Sequence, residues 1–281
     1  MRPIRVKTMA AGVAFGVLSA GAAAAISGTA ARATVVVTEF PSSASDTQPI
    51  GIATGPDGNL WVAEAAKNAI ARVTPSGTFT EFSLPSAASA PLFITAGPDG
   101  KMWFTERIGN RIGTITTAGV ITEFPVTTQG SAPSAIASGP DGALWFTETM
   151  VDKIGRITTS GAITEFLVPS AQSGVVGITA GPDGALWFTE GSAGRIGKIT
   201  TAGAITELPL PNANSSPTDI VAGPDGALWF TERSASRIGR ITTAGVISEF
   251  PTATAASAPT GITVGPDGDL WFTEPQAGKL G

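Results

Sequence analysis

Short apolar runs separated by breaks rich in Gly, Pro and Asp follow one another from Thr34 to the end of the chain. No window carries the i, i+3, i+4 spacing of an amphipathic helix. Residues 217–250 show the pattern clearly. Thr218–Ala222 predicts a first strand, a, and Pro224-Asp225-Gly226 a tight turn, because Pro presets the first turn dihedral and Gly accepts positive φ. Ala227–Thr231 predicts strand b, Arg237–Ile241 strand c and Val246–Phe250 strand d, with Thr243-Ala244-Gly245 turning c into d. Leu228-Trp229-Phe230 is continuously apolar where a half-exposed strand would alternate, so both faces of strand b are expected to be buried.

This unit repeats every 42 residues. Gly-Pro-Asp-Gly begins at Gly55, Gly97, Gly139, Gly181, Gly223 and Gly265, each time followed by a Trp (Trp61, Trp103, Trp145, Trp187, Trp229, Trp271) and then a Glu (Glu64, Glu106, Glu148, Glu190, Glu232, Glu274). A second Glu recurs near the end of strand d, at Glu39, Glu81, Glu123, Glu165, Glu207 and Glu249. Four short antiparallel strands per repeat are one blade of a β-propeller, whereas leucine-rich and ankyrin repeats are shorter and need helical turns. The predicted fold is therefore all-β, a propeller of four-stranded antiparallel blades with six units present. Val35–Phe40 matches strand d before any a, b or c strand, so residues 34–40 are expected to complete the last blade and remove an exposed edge. The sixth unit stops at Lys279-Leu280-Gly281, in the middle of strand c, and reads as truncated from a propeller of seven blades.

Composition adds three constraints. Residues 1–33 carry Arg2, Arg5 and Lys7 ahead of an uncharged stretch from Met9 to Ile26 and close on Ala31-Arg32-Ala33, the form of a signal peptide cleaved to leave a domain over 34–281. A secreted or cell-surface location is expected, with no membrane attachment after cleavage. That segment holds four of the 17 Lys and Arg and none of the 22 Asp and Glu, which leaves 13 − 22 = −9 for the remainder. With no basic stripe, nucleic acid is not an expected partner. The chain has no Cys and no His, which removes disulfides, thiolate chemistry and the commonest general base and imidazole ligand together.

Chemistry is expected on one face. The Pro-Asp-Gly and Thr-Ala-Gly turns share one side of the disc, and the starts of strand a, the Glu ending strand b and the b-to-c loops share the other. The equal spacing of the Trp residues on the most hydrophobic strand assigns them to the core rather than to a sugar-binding stripe. The ring of strand-b Glu is a candidate for a divalent cation, with Glu232 and Glu274 as candidate metal ligands. A structural role competes with it, because a basic residue follows each of five of them (Arg111, Lys153, Arg195, Arg237, Lys279) and offers an ion pair across the loop. Asymmetric positions are more informative than repeated ones. Asp219, where other units have Gly, Phe or Ala, is the candidate catalytic residue, and Arg107, Asn110, Met150, Asp152 and Arg233 vary the b-to-c loops. No cofactor is evident, and the expected partner is a small molecule, peptide or glycan at the channel mouth of a monomer.

With the units aligned, the chain resembles the streptogramin B (virginiamycin B) lyase family. The resemblance is carried by Leu-Trp-Phe-Thr-Glu at 144–148, 186–190 and 228–232, by Ile-Gly-Arg-Ile-Thr at 154–158 and 238–242, and by Ile-Thr-Glu-Phe at 121–124 and 163–166. Propellers of the NHL and gluconolactonase type share only the looser plan. The resemblance implies seven blades and a Mg²⁺-dependent carbon–oxygen lyase that opens cyclic depsipeptides by elimination at the ester. It also implies a His base in a Pro-His-x-Ile motif opening strand a, with Glu side chains holding the metal. The matching positions here are Ile50, Leu92, Ser134, Val176, Thr218 and Thr260, and the residues before the motif's Pro are Gln48, Ala90, Ala132, Gly174, Ser216 and Ala258. The chain as written is thus expected to be inactive as a streptogramin lyase; the alternative is a non-catalytic extracellular binding or scaffold propeller.

Overall fold

The computed structural model describes residues 47–281 and, in backbone only, the strands Arg5–Val6 and Val37–Thr38. Among the described residues there is no helix. Residues 46–281 form one compact unit of six antiparallel sheets in sequence order, five four-stranded and the last three-stranded, the six propeller blades with an incomplete last one that the repeat predicts. Blade 3 shows the common plan: strand a is Pro133–Ser138, b Leu144–Glu148, c Lys153–Ile157 and d Ile163–Leu167. Blade 6 has Ile262–Val264, Leu270–Glu274 and Lys279–Leu280. The expected closing strand falls on residues 34–40, of which Val37–Thr38 pairs with Arg5–Val6; its other residues, and the expected signal peptide apart from Arg5–Val6, lie outside the described residues.

Each element of the repeated tetrapeptide has a packing reason. The Asp accepts a hydrogen bond from the indole N–H four residues on, as in Asp141 Oδ1 from Trp145 Nε1 at 3.0 Å, so a fully buried Trp keeps no unpaired donor. A Cβ on the first Gly would strike that same ring, at 2.5 Å for Gly139. The second Gly, at φ +73° in Gly142, turns the chain. Strand a of each blade lies against strand a of the next. The Trp of one blade packs into its successor: Trp145 clusters with Ile178, Leu186 and Phe188 of blade 4. Strand b is accordingly buried along its whole length in blades 2, 3 and 4 and alternates with exposed positions only in blade 6.

Polar groups tie the blades as well. Thr147 of strand b accepts a hydrogen bond from Ala135 N–H of its own blade and donates to the Val176 carbonyl of the next, at 3.0 and 2.8 Å. Thr105, Thr189 and Thr231 repeat the staple onto Ser134, Thr218 and Thr260. Strand a is bulged at this point in blades 1 to 5, for example between Pro133 and Ile136. The bulge re-aims the backbone at the mouth of the channel, a common use of the device.

Candidate functional site

The mouth is built from strand-a bulges and b-to-c loops. Just before each strand a, Gln48, Ala90, Ala132, Ser216 and Ala258 hold φ between +45° and +53°, and Gly174 holds +61°. This left-handed kink is costly for residues with a Cβ. It turns the Gln48, Ala90, Gly174 and Ser216 carbonyls to accept the backbone N–H after the strand-b Glu, as in Ser216 from Arg233 at 3.1 Å. The following positions, Leu92, Ser134, Val176, Thr218 and Thr260, are those the family motif gives to His, and all but Leu92 have their carbonyls pinned by the Thr staple of the preceding blade.

The mouth is uneven in chemistry. Ile50 and Phe93 are exposed on the strand-a bulges of blades 1 and 2, and Ile108 and Met150 are exposed at equivalent loop positions of the adjacent blades 2 and 3, at 73% and 69%. The same loop position is Ser192, Ser234 and Gln276 in blades 4 to 6. One side is therefore apolar, and the other carries two hydroxyls and a carboxamide.

Asp219 sits on the blade 5 bulge, and both its oxygens are occupied. Oδ1 accepts the Ile220 N–H at 2.9 Å and Oδ2 accepts the Ile262 N–H of blade 6 at 3.0 Å. Burial pushes its carboxyl up, and the two backbone hydrogen bonds pull the other way. The candidate catalytic residue thus acts as a clamp between two blades. Asp219→Ala should cost about 1–3 kcal/mol in thermal unfolding, by leaving the Ile262 N–H without its acceptor; an unchanged melting temperature would contradict the clamp.

The strand-b Glu residues are buried rather than presented. Glu106, Glu148, Glu190 and Glu232 are 0% exposed; no well-aligned hydrogen bond reaches their carboxyl oxygens, and the Ser89, Ser131 and Ser215 hydroxyls lie beside Glu106, Glu148 and Glu232. Burial, reinforced by a second carboxylate on strand d, pushes Glu148 and Glu232 up to about 7 and Glu190 to about 8. Glu106 also reaches about 7, chiefly by burial. The expected ion pairs across the b-to-c loop do not form. Arg111, Lys153, Arg195 and Arg237 reach instead to the strand-d Glu123, Glu165, Glu207 and Glu249, at 4.0, 2.8, 3.2 and 2.5 Å, and Lys279 donates to Thr254. The physical reason is burial: Glu148 is fully enclosed while Glu165 keeps a partly open rim, and a long basic side chain keeps its charged head toward solvent.

The strand-d Glu proves to be an inter-blade latch. Glu165 accepts from both N–H and Oγ1 of Thr128, at 2.8 and 2.5 Å, and Glu123 and Glu207 do the same with Ser86 and Ser170 of the preceding blade. Burial alone would raise Glu165, but Lys153 and Thr128 hold it below the ordinary carboxylate value. Ser86, Thr128 and Ser170 recur with the 42-residue period, a signal the sequence carries and a motif search misses.

Known proteins settle the family. The sequence model of the virginiamycin B lyase family matches residues 23–173 and 133–281. The chain belongs to the virginiamycin B lyase family. A crystal structure of virginiamycin B lyase from Staphylococcus aureus is 45% identical with a TM-score of 0.84, and the match covers 88% of this chain and 83% of that one. A streptogramin B lyase structure is 41% identical with a TM-score of 0.83, over 87% of this chain and 82% of that one. A third structure, 44% identical with a TM-score of 0.84 over 89% and 84% of the two chains, is a catalytically inactive His-to-Ala variant of the S. aureus enzyme with quinupristin. A gluconolactonase-like propeller at 14% identity and TM-score 0.61 shares the fold alone. Among curated protein sequences none matches significantly.

The lyase family implies Mg²⁺, and the described residues do not fit it. Magnesium needs near-octahedral oxygen ligation. Glu232 and Glu274, the candidate ligands, lie in different blades, both are buried within their blades, and no group of three or more Asp or Glu among the described residues is placed to hold a metal ion.

Proposed function

We propose that this member of the virginiamycin B lyase family is an exported propeller that binds a streptogramin-type ligand at the strand-a mouth without opening it. The absence of His from the chain, in a family whose His-to-Ala variant is described as inactive and yet is seen with quinupristin, carries this reading. Elimination needs a positioned group to take the proton α to the ester. The described carboxylates do not supply one at the mouth: the strand-b Glu are enclosed, and Asp219 has both oxygens committed to backbone N–H groups. What the mouth does offer is recognition, with Phe93, Ile108 and Met150 as apolar contact and hydroxyl groups opposite.

Calorimetric titration with quinupristin tests the site. Saturable binding is expected, and Phe93→Asp combined with Ile108→Asp should weaken it at least tenfold while leaving the melting temperature nearly unchanged, because both side chains are exposed. Undiminished affinity in that variant would place the ligand elsewhere.

A further inference from the structure

Blade 4 breaks the repeat at one packed position. In blades 1, 2, 3 and 5 the strand-d Phe stacks on the strand-b Trp, with ring centroids 5.8 Å apart for Trp61–Phe82 and Trp103–Phe124, 5.6 Å for Trp145–Phe166 and 5.7 Å for Trp229–Phe250. The far edge of the ring meets the c-to-d turn of the next blade. A Cβ built on Gly119, Gly161 or Gly203 would fall 2.1, 2.2 or 2.2 Å from Phe82, Phe124 or Phe166. Blade 4 has Leu208 in place of the Phe. A Cβ on Gly245 of the next turn would find Leu208 Cδ2 at 3.1 Å and nothing else nearer than 4.0 Å. A solvent-open cavity of about 270 Å³ lies here, bounded by Trp187, Lys198, Thr206, Leu208, Ala244 and Gly245.

We propose that this cavity binds a small aromatic molecule, a single ring with one polar substituent, held between Leu208 and the 243–245 turn as the Phe rings are held in the sibling blades. Three features define that ligand. The size suits one ring with a substituent, since an apolar cavity of about 150 Å³ already takes benzene and pockets for drug-sized ligands begin near 300 Å³. The Lys198 ammonium stands 5.2 Å from the Trp187 ring centre and is already paired with Asp183 at 2.7 Å, so the site calls for no carboxylate. The Thr206 and Thr243 side chains line the cavity and offer hydroxyls to a polar substituent. The c-to-d turns lie on the face opposite the mouth, which makes this site independent of the depsipeptide site.

Thermal unfolding with phenol as the probe tests the proposal. Phenol should raise the melting temperature of the unmodified chain in a saturable way, as a ligand of the native state must. Leu208→Phe should melt higher without phenol and lose the response. Ala244→Trp blocks the cavity from its exposed rim without entering the core and should lose it too, while Ala118→Trp at the equivalent turn of blade 2 should keep it. The absence of a saturable shift in the unmodified chain, or the same shift in both blocked variants, would overturn the proposal.

Discussion

Trp145→Ala should destabilise the propeller by about 3–5 kcal/mol, the range for emptying a large aromatic site in a core, whereas Trp271→Ala should cost a small fraction of that. Trp145 is 0% exposed, stacks on Phe166, donates to Asp141 and fills the hollow formed by Ile178, Leu186 and Phe188 of the next blade. Removing it opens a void at a blade interface and leaves Asp141 without its indole donor. Trp271 occupies the same place in blade 6 but is 43% exposed, with a longer 3.4 Å bond to Asp267. Sequence assigns the two residues the same role, so only blade stacking separates them. Equal losses in urea unfolding would show that the Trp stabilises its own hairpin and not the interface.

Stability should fall as pH rises from about 5 to 8.5. The strand-b Glu residues have folded-state values pushed up from 4.5 to about 7 for Glu106, Glu148 and Glu232 and about 8 for Glu190, mainly by burial. The folded chain therefore holds these protons over a range where the unfolded chain releases them, and stability declines with pH wherever the native state binds more protons. The contribution is fully present below about 4.5 and lost by the time pH passes the folded values. The facing groups are the strand-d Glu and its Arg or Lys, with Asp152 also near Glu190. Acid acts on the opposite set: Glu165 and Asp141, held low by their partners, weaken the fold when protonated. A maximum near pH 5 to 6 results. Glu148→Gln, neutral at every pH, should match the unmodified chain at pH 5 and melt higher at pH 8.5. A gap that does not grow with pH would mean that the buried carboxyls are ionised in the fold.

Repetition made the fold legible. Gly-Pro-Asp-Gly, Leu-Trp-Phe and Thr-Glu-Phe each state a local requirement, the first in six exact copies and the other two in four, and their common 42-residue register turns weak strand signals into one architecture. The same repetition hid the polar chemistry. Sequence places Glu148 and Lys153 five residues apart, and the strands do set them opposite each other, yet side-chain direction and burial decide which carboxylate the cation meets. Glu165 lies on the outermost strand, and it holds blade 3 to the loop before it because Thr128, 37 residues upstream, returns to its side. Asp219 is irregular in the aligned units, but a lone sequence cannot show that Ile262 N–H is its partner. Leu208 for Phe is as visible as Asp219 in the aligned units; its meaning emerges only when the neighbouring turn is seen to lack the ring it packs against elsewhere.

The absence of His and the enclosure of the strand-b carboxyls give the functional account its sharpest consequence. Opening by elimination is an isomerisation, so the linear product keeps the mass of the ring and must be separated by chromatography rather than weighed. The decisive measurement is reversed-phase chromatography of quinupristin recovered after prolonged incubation with a saturating amount of this chain and Mg²⁺, alongside a titration that confirms binding. The account predicts that quinupristin binds and returns intact; a linear product formed at a rate proportional to protein, or no binding at all, would contradict it.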